Sequence, residues 1–262
     1  MMGFRAALWM ELLKVRKTRI FLISIIFFVF IGLMMGLLMY VSMHPELASR
    51  STTISTKTSF IGEVSWASYF DLLIQLIITL GVIGFGVVTS WVFGREFSDR
   101  VIKDLLALPV SRTAIINAKF VVLIGWGLAL SLSILVAAML SGWLIRIPGW
   151  ADVFFSSFLL TFLVCALLNI LLISPVAFVA SAGRGYLLPI SFVILSLIVT
   201  QLIFVGIPGL SPWLPWALPA LYSGVAGEAA PDAKIMSYVL FGIAVAAGYA
   251  GTVAWWRLAD HK

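Results

Sequence analysis

Six long apolar segments alternate with short polar stretches along the chain. Each segment is at least as long as the roughly 20 residues that an α-helix needs to cross the hydrocarbon core of a bilayer. We therefore predict an all-α membrane protein, in which residues 1–262 form one domain of six transmembrane helices. The predicted spans cover residues 20–41, 68–93, 119–144, 153–180, 187–207 and 235–256.

Composition supports this prediction and narrows the class of protein. Hydrophobic residues make up 62% of the 262 residues, whereas a soluble domain is about half apolar. The formal net charge of +6 would suit nucleic acid only on a basic face, but the bases lie between apolar segments. The single cysteine, Cys165, excludes an intrachain disulfide. We expect contact with membrane lipid and none with nucleic acid.

Lys and Arg are distributed unequally over the connections, which predicts how the helices are oriented. If the N-terminus is cytoplasmic, thirteen of the 17 bases lie in inside segments. Cytoplasmic segments of membrane proteins are enriched in Lys and Arg. We therefore expect a multi-pass protein of the cell membrane with both termini in the cytoplasm. The bases left outside are Arg50, Lys57, Arg146 and Lys234.

Residues 1–19 precede the first span and have a helical pattern of their own. Phe4, Leu8, Leu12 and Val15 fall on one side of a helical wheel, and the bases gather toward the membrane end. This pattern predicts an interfacial helix on the inner leaflet. The alternative is a cytoplasmic extension of the first span.

The connection between the fifth and sixth spans, residues 206–234, is rich in Pro and carries Trp213, Trp216 and Tyr222. It is too apolar for a solvated loop, and Pro interrupts it too often for a spanning helix. Two interpretations remain: a re-entrant or interfacial helical hairpin on the extracellular side, or a loop anchored by Trp at the headgroup level.

Two backbone features stand out within the spans. Gly32 and Gly36 form a GxxxG motif in the first span, which is typical of a close-packing helix face. Pro175 should kink or end the fourth span, because proline lacks the amide hydrogen that a helix needs.

The chain lacks the known motifs of catalysis. His44 and His261 lie on opposite sides of the predicted membrane, so they cannot share a metal ion. HExxH, GxSxG and GxxxxGK[ST] motifs are missing from the sequence. We therefore predict that this chain is not an enzyme, has no catalytic residues and binds neither a metal ion nor a cofactor.

Few polar groups lie within the spans, which bears on whether protons or ions could cross the membrane through this chain. Apart from Lys119 at the start of the third span, Asp71 is the one charged residue there, near the outer end of the second span. An ion-coupled carrier ordinarily keeps a charge near the midplane, so that class is disfavoured. Gln75, Asn169 and Gln201 are candidates to line a pathway. For Asn169 and Gln201, the alternative is an interhelical hydrogen bond that fixes packing.

The most charged interruption, residues 95–112, lies between the second and third spans. On a helix, residues 99–108 separate into a polar arc and an opposite apolar arc, with Ser98 as N-cap and Pro109 as the stop. We predict a short amphipathic helix parallel to the membrane on the cytoplasmic side. The alternative is an interfacial helix that only tethers the loop. The polar arc comprises Asp99, Arg100, Lys103, Asp104 and Ala107.

The sequence from Glu96 to Lys119 resembles the cytoplasmic motif of the ABC-2 type transporter permeases. That motif has a Glu, a Gly-Thr pair, a leucine-rich turn, Pro-x-Ser-Arg and a Lys that opens the next span. Residues 105–112 read LLALPVSR, while Arg100 and Val101 stand where the family has Gly-Thr. The six-span layout with short loops is similar to the branch that contains bacitracin- and lantibiotic-resistance permeases.

The resemblance implies that residues 95–112 form a coupling helix that docks on a separate ATP-binding subunit. ATP and Mg are then expected in that subunit, and a second permease copy or homologue completes the transporter. The implied pathway lies between the two permeases, along the second and fifth spans. The implied coupling residues are Glu96, Asp99, Arg100, Lys103, Asp104, Leu105, Pro109 and Arg112.

The expected function is the export of an amphipathic or lipid-like substrate, such as a peptide antibiotic, driven by ATP hydrolysis in the separate subunit. The alternative is a membrane scaffold or sensor that binds an ATPase through the same helix without transporting anything.

Overall fold

The computed structural model describes residues 2–44, 46, 63–99, 110–227 and 230–258. Regular structure within these ranges is entirely helical, and six helical segments, one of them made of two consecutive helices, are long and apolar enough to cross a membrane. The helices are α1 Met2–Lys17, α2 Arg19–Met43, α3 Trp66–Ser98, α4 Arg112–Leu144, α5 Phe155–Leu171, α6 Ile173–Ala182, α7 Leu187–Gly206, α8 Leu218–Ser223 and α9 Ile235–Leu258.

Each predicted span is helical, and the fourth span comprises α5 and α6 together. The largest difference concerns α3 and α4, which extend well beyond the predicted ends of the second and third spans. α4 begins at Arg112 because the Ser111 hydroxyl caps it, accepting a hydrogen bond from the amide of Ala114 at 3.3 Å. Helical backbone therefore continues past the apolar segments that the prediction used.

The predicted start of the amphipathic helix is wrong in one respect. Ser98 does not cap a new helix but is the last residue of α3, and Asp99 is the C-cap of α3. The α3 helix continues because its polar end is held by neighbouring charged side chains. Residues 100–109 lie outside the described residues, and with them the predicted positions Arg100, Lys103, Asp104, Leu105 and Pro109.

The N-terminal helix α1 is separate from the first span. Thr18 is extended (φ −89°, ψ 143°), and its hydroxyl accepts a hydrogen bond from the amide of Ile20 at 3.3 Å. This cap ends α1 at Lys17 and starts α2 in a new direction. α1 packs mainly against α4, so the alternative of a continuous first span is wrong.

The GxxxG motif of α2 is a close-packing face against α4, as predicted. A Cβ atom at Gly32 would lie 2.9 Å from the Cβ of Ala137, and one at Gly36 would collide with the side chain of Ser141. Only glycine lets the two helix backbones approach this closely. The contact between α2 and α4 is the most extensive one between two described helices.

Pro175 kinks the fourth span rather than ending it. The helix is interrupted at Leu172 and then continues as α6 to Ala182, since Pro175 cannot donate a hydrogen bond to the preceding turn. α9 packs closely on the kink: a Cβ at Gly248 would lie 2.6 Å from the carbonyl carbon of Ser174. The Ser174 hydroxyl donates to the carbonyl of Val245 at 2.8 Å.

The connection between α7 and α9 packs into the bundle through two 3-10 turns, Pro208–Trp213 and Pro215–Ala217, followed by α8. The Leu218 side chain at the start of α8 is fully buried, and it packs with Leu172 and Phe241. This connection is therefore a packed part of the protein and not a solvated loop.

Candidate functional site

Ionisable side chains meet where α1, the end of α3 and the start of α4 converge. The ammonium nitrogen of Lys119 lies 2.7 Å from Oε1 of Glu96 and 3.2 Å from Oε2 of Glu11. It also donates to the backbone carbonyl of Val92 at 3.1 Å. Lys119 therefore ties α4 to both α3 and α1. The ionic cluster comprises Glu11, Lys14, Glu96 and Lys119.

Lys14 completes the cluster from α1. Its ammonium nitrogen lies 2.8 Å from Oε1 of Glu11 and 2.8 Å from Oε1 of Glu96. Partial burial by itself lowers the pKa of Lys14, but the attraction of the Glu96 and Glu11 carboxylates outweighs it and raises that pKa above its ordinary value. Two carboxylates and two ammonium groups then balance each other in charge.

The cluster is largely withdrawn from solvent. Glu11 and Glu96 are each 3% exposed, and Lys119 is 1% exposed. Removing a charge from water costs several kcal/mol per ion unless partners replace the solvent. The three ammonium hydrogens of Lys119 match its three oxygen acceptors, and the Phe93 ring lies 5.7 Å from its nitrogen. The cluster therefore satisfies its charges only while α1, α3 and α4 stay together.

One carboxylate oxygen in the cluster can still accept a hydrogen bond. Oε2 of Glu96 is buried and has no hydrogen-bond partner among the described residues. A cavity of about 110 Å³ adjoins the cluster and is lined in part by Glu11, Glu96, Asp99 and Lys119. This volume is large enough to hold water, which could satisfy that oxygen.

The last turn of α3 carries a second ion pair at the surface. Nε of Arg95 lies 3.1 Å from Oδ2 of Asp99, and the guanidinium lies 5.1 Å from the centre of the Trp91 ring. A carboxylate at a helix C-terminus is unfavourable because of the helix dipole, and Arg95 offsets this effect. The pair therefore stabilises the C-terminal turn of α3, which directly precedes residues 100–109.

Arg112 fastens the start of α4 to the end of α9. Its Nη1 donates to the backbone carbonyls of Trp256 at 2.9 Å and Arg257 at 3.2 Å. These carbonyls belong to the last turn of α9, where a helix has no internal donors left for them. The ends of α3, α4 and α9 are thus joined at one end of the bundle, here named the charged end.

Of the predicted coupling residues, the structure brings Glu96, Asp99 and Arg112 to the charged end. Sequence reasoning missed Glu11 and Lys14 as partners of the motif. A usable signal was present, because Glu11 is the one acidic residue of α1 and lies three residues after Leu8 and four before Val15, on the predicted apolar side. That spacing places Glu11 on the buried side of the helix.

The predicted pathway residues occupy different environments. Asn169 is 1% exposed, and its amide donates to the carbonyl of Ile77 at 2.9 Å, so it forms an interhelical hydrogen bond between α5 and α3. Gln75 on α3 and Gln201 on α7 have exposed side chains, as does Asp71. The role of Gln75 and Gln201 in lining a pathway stays a prediction.

The possible metal ligands are dispersed over the described part of the chain. Among residues 2–44, 46, 63–99, 110–227 and 230–258, no three His, Cys, Asp or Glu side chains are grouped to hold a metal ion. His44 lies at the C-cap of α2, where Nδ1 is 2.9 Å from the carbonyl oxygen of Tyr40. Its contact is therefore local to that helix end.

Comparison with known proteins assigns this architecture to a family. The sequence model of the family described as "ABC-2 family transporter protein" matches residues 7–201, a range that includes the whole ionic cluster. A curated relative, the bacitracin transport permease protein BCRB of Bacillus licheniformis, is 28% identical over 147 residues, which cover 56% of this chain and 71% of the relative. The chain therefore belongs to the ABC-2 family of transporter permeases, and it is a multi-pass membrane protein.

Proposed function

We propose that this chain is the transmembrane subunit of an exporter that is driven by ATP hydrolysis in a separate subunit. Membership of the ABC-2 family supports a role in transport. The sequence has no phosphate-binding GxxxxGK[ST] loop, so ATP and Mg would bind the partner. The alternative of a scaffold or sensor partner of an ATPase predicts the same complex without substrate movement.

The charged end is proposed to face the cytoplasm. Four helix ends meet there: the basic end of α1 near Lys17, the end of α3, the start of α4 and the end of α9. Most of the 17 bases therefore lie on one side of the bundle, as cytoplasmic enrichment in Lys and Arg requires. This orientation puts both termini in the cytoplasm.

The ionic cluster is the observation that carries the proposal. Residues 100–109 connect α3 to α4, and the cluster joins those two helices immediately next to this connection. A force on residues 95–112 would therefore move α3, α4 and α1 as one body, because separating them would leave buried charges unpaired. This is the mechanical property that a coupling segment needs.

An amphipathic or lipid-like substrate, such as a peptide antibiotic, suits this bundle best. The relative is by its name a bacitracin transport permease. In the most apolar part of α7 only 17% of the residues are buried, whereas the share is 56% in α3. Most of α7 is therefore free to face lipid or a second permease copy. The exposed amides of Gln75 and Gln201 would then line the pathway.

We further propose that residues 208–223 form a re-entrant segment on the extracellular side. The thiol of Cys165 donates to the backbone carbonyl of Pro219 at 3.5 Å, and Cys165 lies ten residues into the fourth span, or about 15 Å along it. A loop confined to the headgroup level would not reach that depth, because the whole hydrocarbon core is only about 30 Å thick.

The test is co-purification of the tagged chain with a candidate ATP-binding protein encoded beside it. The proposal predicts a stable complex whose ATPase activity rises with some members of a panel of amphipathic peptides and lipids. Absence of any associated ATPase would refute it. A complex that moves no substrate in vesicles, with ATPase activity unaffected by the panel, would favour the scaffold alternative.

Charge reversal at the end of α3 tests the coupling segment itself. Asp99→Lys should weaken capture of the ATP-binding protein while leaving membrane insertion unchanged. The matched control is Asp232→Lys, which reverses an exposed carboxylate before α9 on the opposite side of the bundle. Equal capture by both variants would contradict the coupling role.

A further inference from the structure

A basic cavity of about 620 Å³ lies beside the ionic cluster, between α1, the start of α2 and the last turns of α3. None of the predicted coupling residues that the structure describes lines this cavity. Two of its lining residues also form ion pairs described above, Lys14 within the ionic cluster and Arg95 with Asp99. Its polar lining comes from Lys14, Lys17, Arg19 and Arg95, and its aromatic lining from Trp9 and Trp91.

The charge of the cavity is unbalanced. Among the described residues that line it, four are cations and none is a carboxylate. Lys14 and Arg95 form ion pairs with carboxylates that do not line the cavity. Lys17 and Arg19 are exposed and form no ion pair within the described part of the chain. Lys17 and Arg19 flank Thr18, where α2 begins, so the positive end of that helix dipole adds to their charge. The cavity therefore attracts an anion.

The surroundings of the cavity are those of a membrane surface. Trp9 lines the cavity and is 64% exposed, and exposed Trp side chains prefer the headgroup level of a bilayer. Next to the cavity along α1 runs a groove of about 660 Å³, which is lined by apolar side chains apart from Arg16 and shares Trp9 and Leu13 with the basic cavity. Gly125 of α4 lines this groove and has open space in front of it.

From this arrangement we infer that the basic cavity binds the headgroup of an anionic phospholipid, with an acyl chain in the apolar groove. The phosphate would lie between Lys17 and Arg19, at the start of α2. A soluble anion would use the cations but not the groove, whereas a phospholipid uses both. The inference goes beyond the proposed function, and its test requires no ATP-binding subunit.

The bound lipid would hold α1 against the bundle at a point that the ionic cluster does not reach. The cluster fixes α1 through Glu11 and Lys14, while Lys17 and Arg19 lie at the bend between α1 and α2. A single phosphate between the two bases would relieve their mutual repulsion across that bend. The lipid would therefore fix the angle at which the N-terminal helix meets the first span.

The experiment is native mass spectrometry of the purified full chain in neutral detergent, titrated with phosphatidylglycerol or with phosphatidylcholine of the same acyl chains. We expect the wild type to prefer phosphatidylglycerol. Lys17→Gln with Arg19→Gln should lower its affinity about 25-fold, or about fivefold per cation, since each base near an anionic membrane surface contributes roughly 1 kcal/mol.

Two control variants show whether position and charge matter. Arg5→Gln with Arg257→Gln removes the same charge from exposed positions outside the cavity and should leave the preference unchanged. Lys17→Arg with Arg19→Lys keeps the charge and should retain binding. An equal loss in the Arg5 and Arg257 variant would overturn the inference in favour of unspecific surface attraction.

Two further results would overturn it without any variant. One is equal affinity of the wild type for the two lipids. The other is displacement of the bound lipid by inorganic phosphate or glycerol phosphate, which would identify a site for a soluble anion. Failure of the ATPase co-purification, in contrast, would leave this result unaffected.

Discussion

The two ends of α4 are held by opposite kinds of contact. Near its start, Lys119 makes three polar contacts to Glu11, Glu96 and Val92 and is 1% exposed. Toward its other end, Ala137 and Ser141 receive the glycines of α2 at backbone contact distance. Within lipid, helices associate through close packing of small residues because apolar side chains gain little by leaving lipid for protein.

The difference separates two mechanical roles. The glycine contact is a broad, uncharged surface whose energy is spread over many small contacts. The ionic cluster concentrates its energy in a few charges, which lose their compensation together if α1, α3 or α4 moves away. The charged end should therefore move as a block, whereas the packed ends of the helices can adjust in small steps.

The largest expected effect is the loss of Lys119. Lys119→Met leaves two buried carboxylates with Lys14 as their remaining cation, and breaking a buried ion pair costs about 3–5 kcal/mol. The free energy of unfolding, measured by titration with sodium dodecyl sulfate in mixed micelles, should fall by that amount. Lys234→Met, at an exposed position, is the control and should change little.

A double-mutant cycle sharpens this prediction. Glu96→Gln in the Lys119→Met background removes the carboxylate that was left unpaired, so the double variant should be less destabilised than the sum of the two single variants. Additive losses would show that Glu96 and Lys119 do not act as a pair, and the comparison between the two ends of α4 would fail.

A smaller effect is expected at the glycine contact. Gly36→Ala forces a methyl group into the side chain of Ser141, and overpacking of this kind costs about 1–3 kcal/mol. Gly125→Ala is the matched control on α4, because no side chain and no other helix of the described residues lies within 4 Å of the added carbon. The same unfolding titration should show a loss for the first variant and none for the second. Equal free energies of unfolding for the two variants would contradict a close helix contact at Gly36.

Arg112 should have a local effect of lower magnitude. Arg112→Gln removes two hydrogen bonds to the last carbonyls of α9, and each such bond contributes about 1 kcal/mol. Amide hydrogen exchange should accelerate in the last turn of α9 and remain unchanged in α3. Uniform acceleration over the bundle would contradict a local capping role.

The smallest effect concerns the pH dependence of Lys14. Its pKa is raised above the ordinary 10.5, so its contribution to stability is complete below pH 10.5 and is lost as the pH rises through the raised value. The stability difference between the wild type and Lys14→Gln should therefore be constant from neutral pH to pH 10 and shrink above 10.5. A difference that grew above that pH would contradict the assigned partners.

The sequence predicted the six helices well because apolar length alone determines which segments can cross a bilayer. It predicted less well where they end, since α3 and α4 continue as polar helices beyond the apolar segments. The motif brought attention to Glu96 and Arg112. The partners Glu11 and Lys119 are 108 residues apart, and no local pattern shows that such positions meet.

The direct test of the central claim, that energy is delivered at the charged end, uses two matched probes. Ser98 and Leu144 are the exposed last residues of α3 and α4, at opposite ends of the bundle. Each is replaced by Cys in a Cys165→Ala background and labelled with a photocrosslinker in the presence of the ATP-binding subunit. If energy is delivered at the charged end, crosslinks form from position 98 and not from position 144. Crosslinks from position 144, or none from position 98, would contradict it.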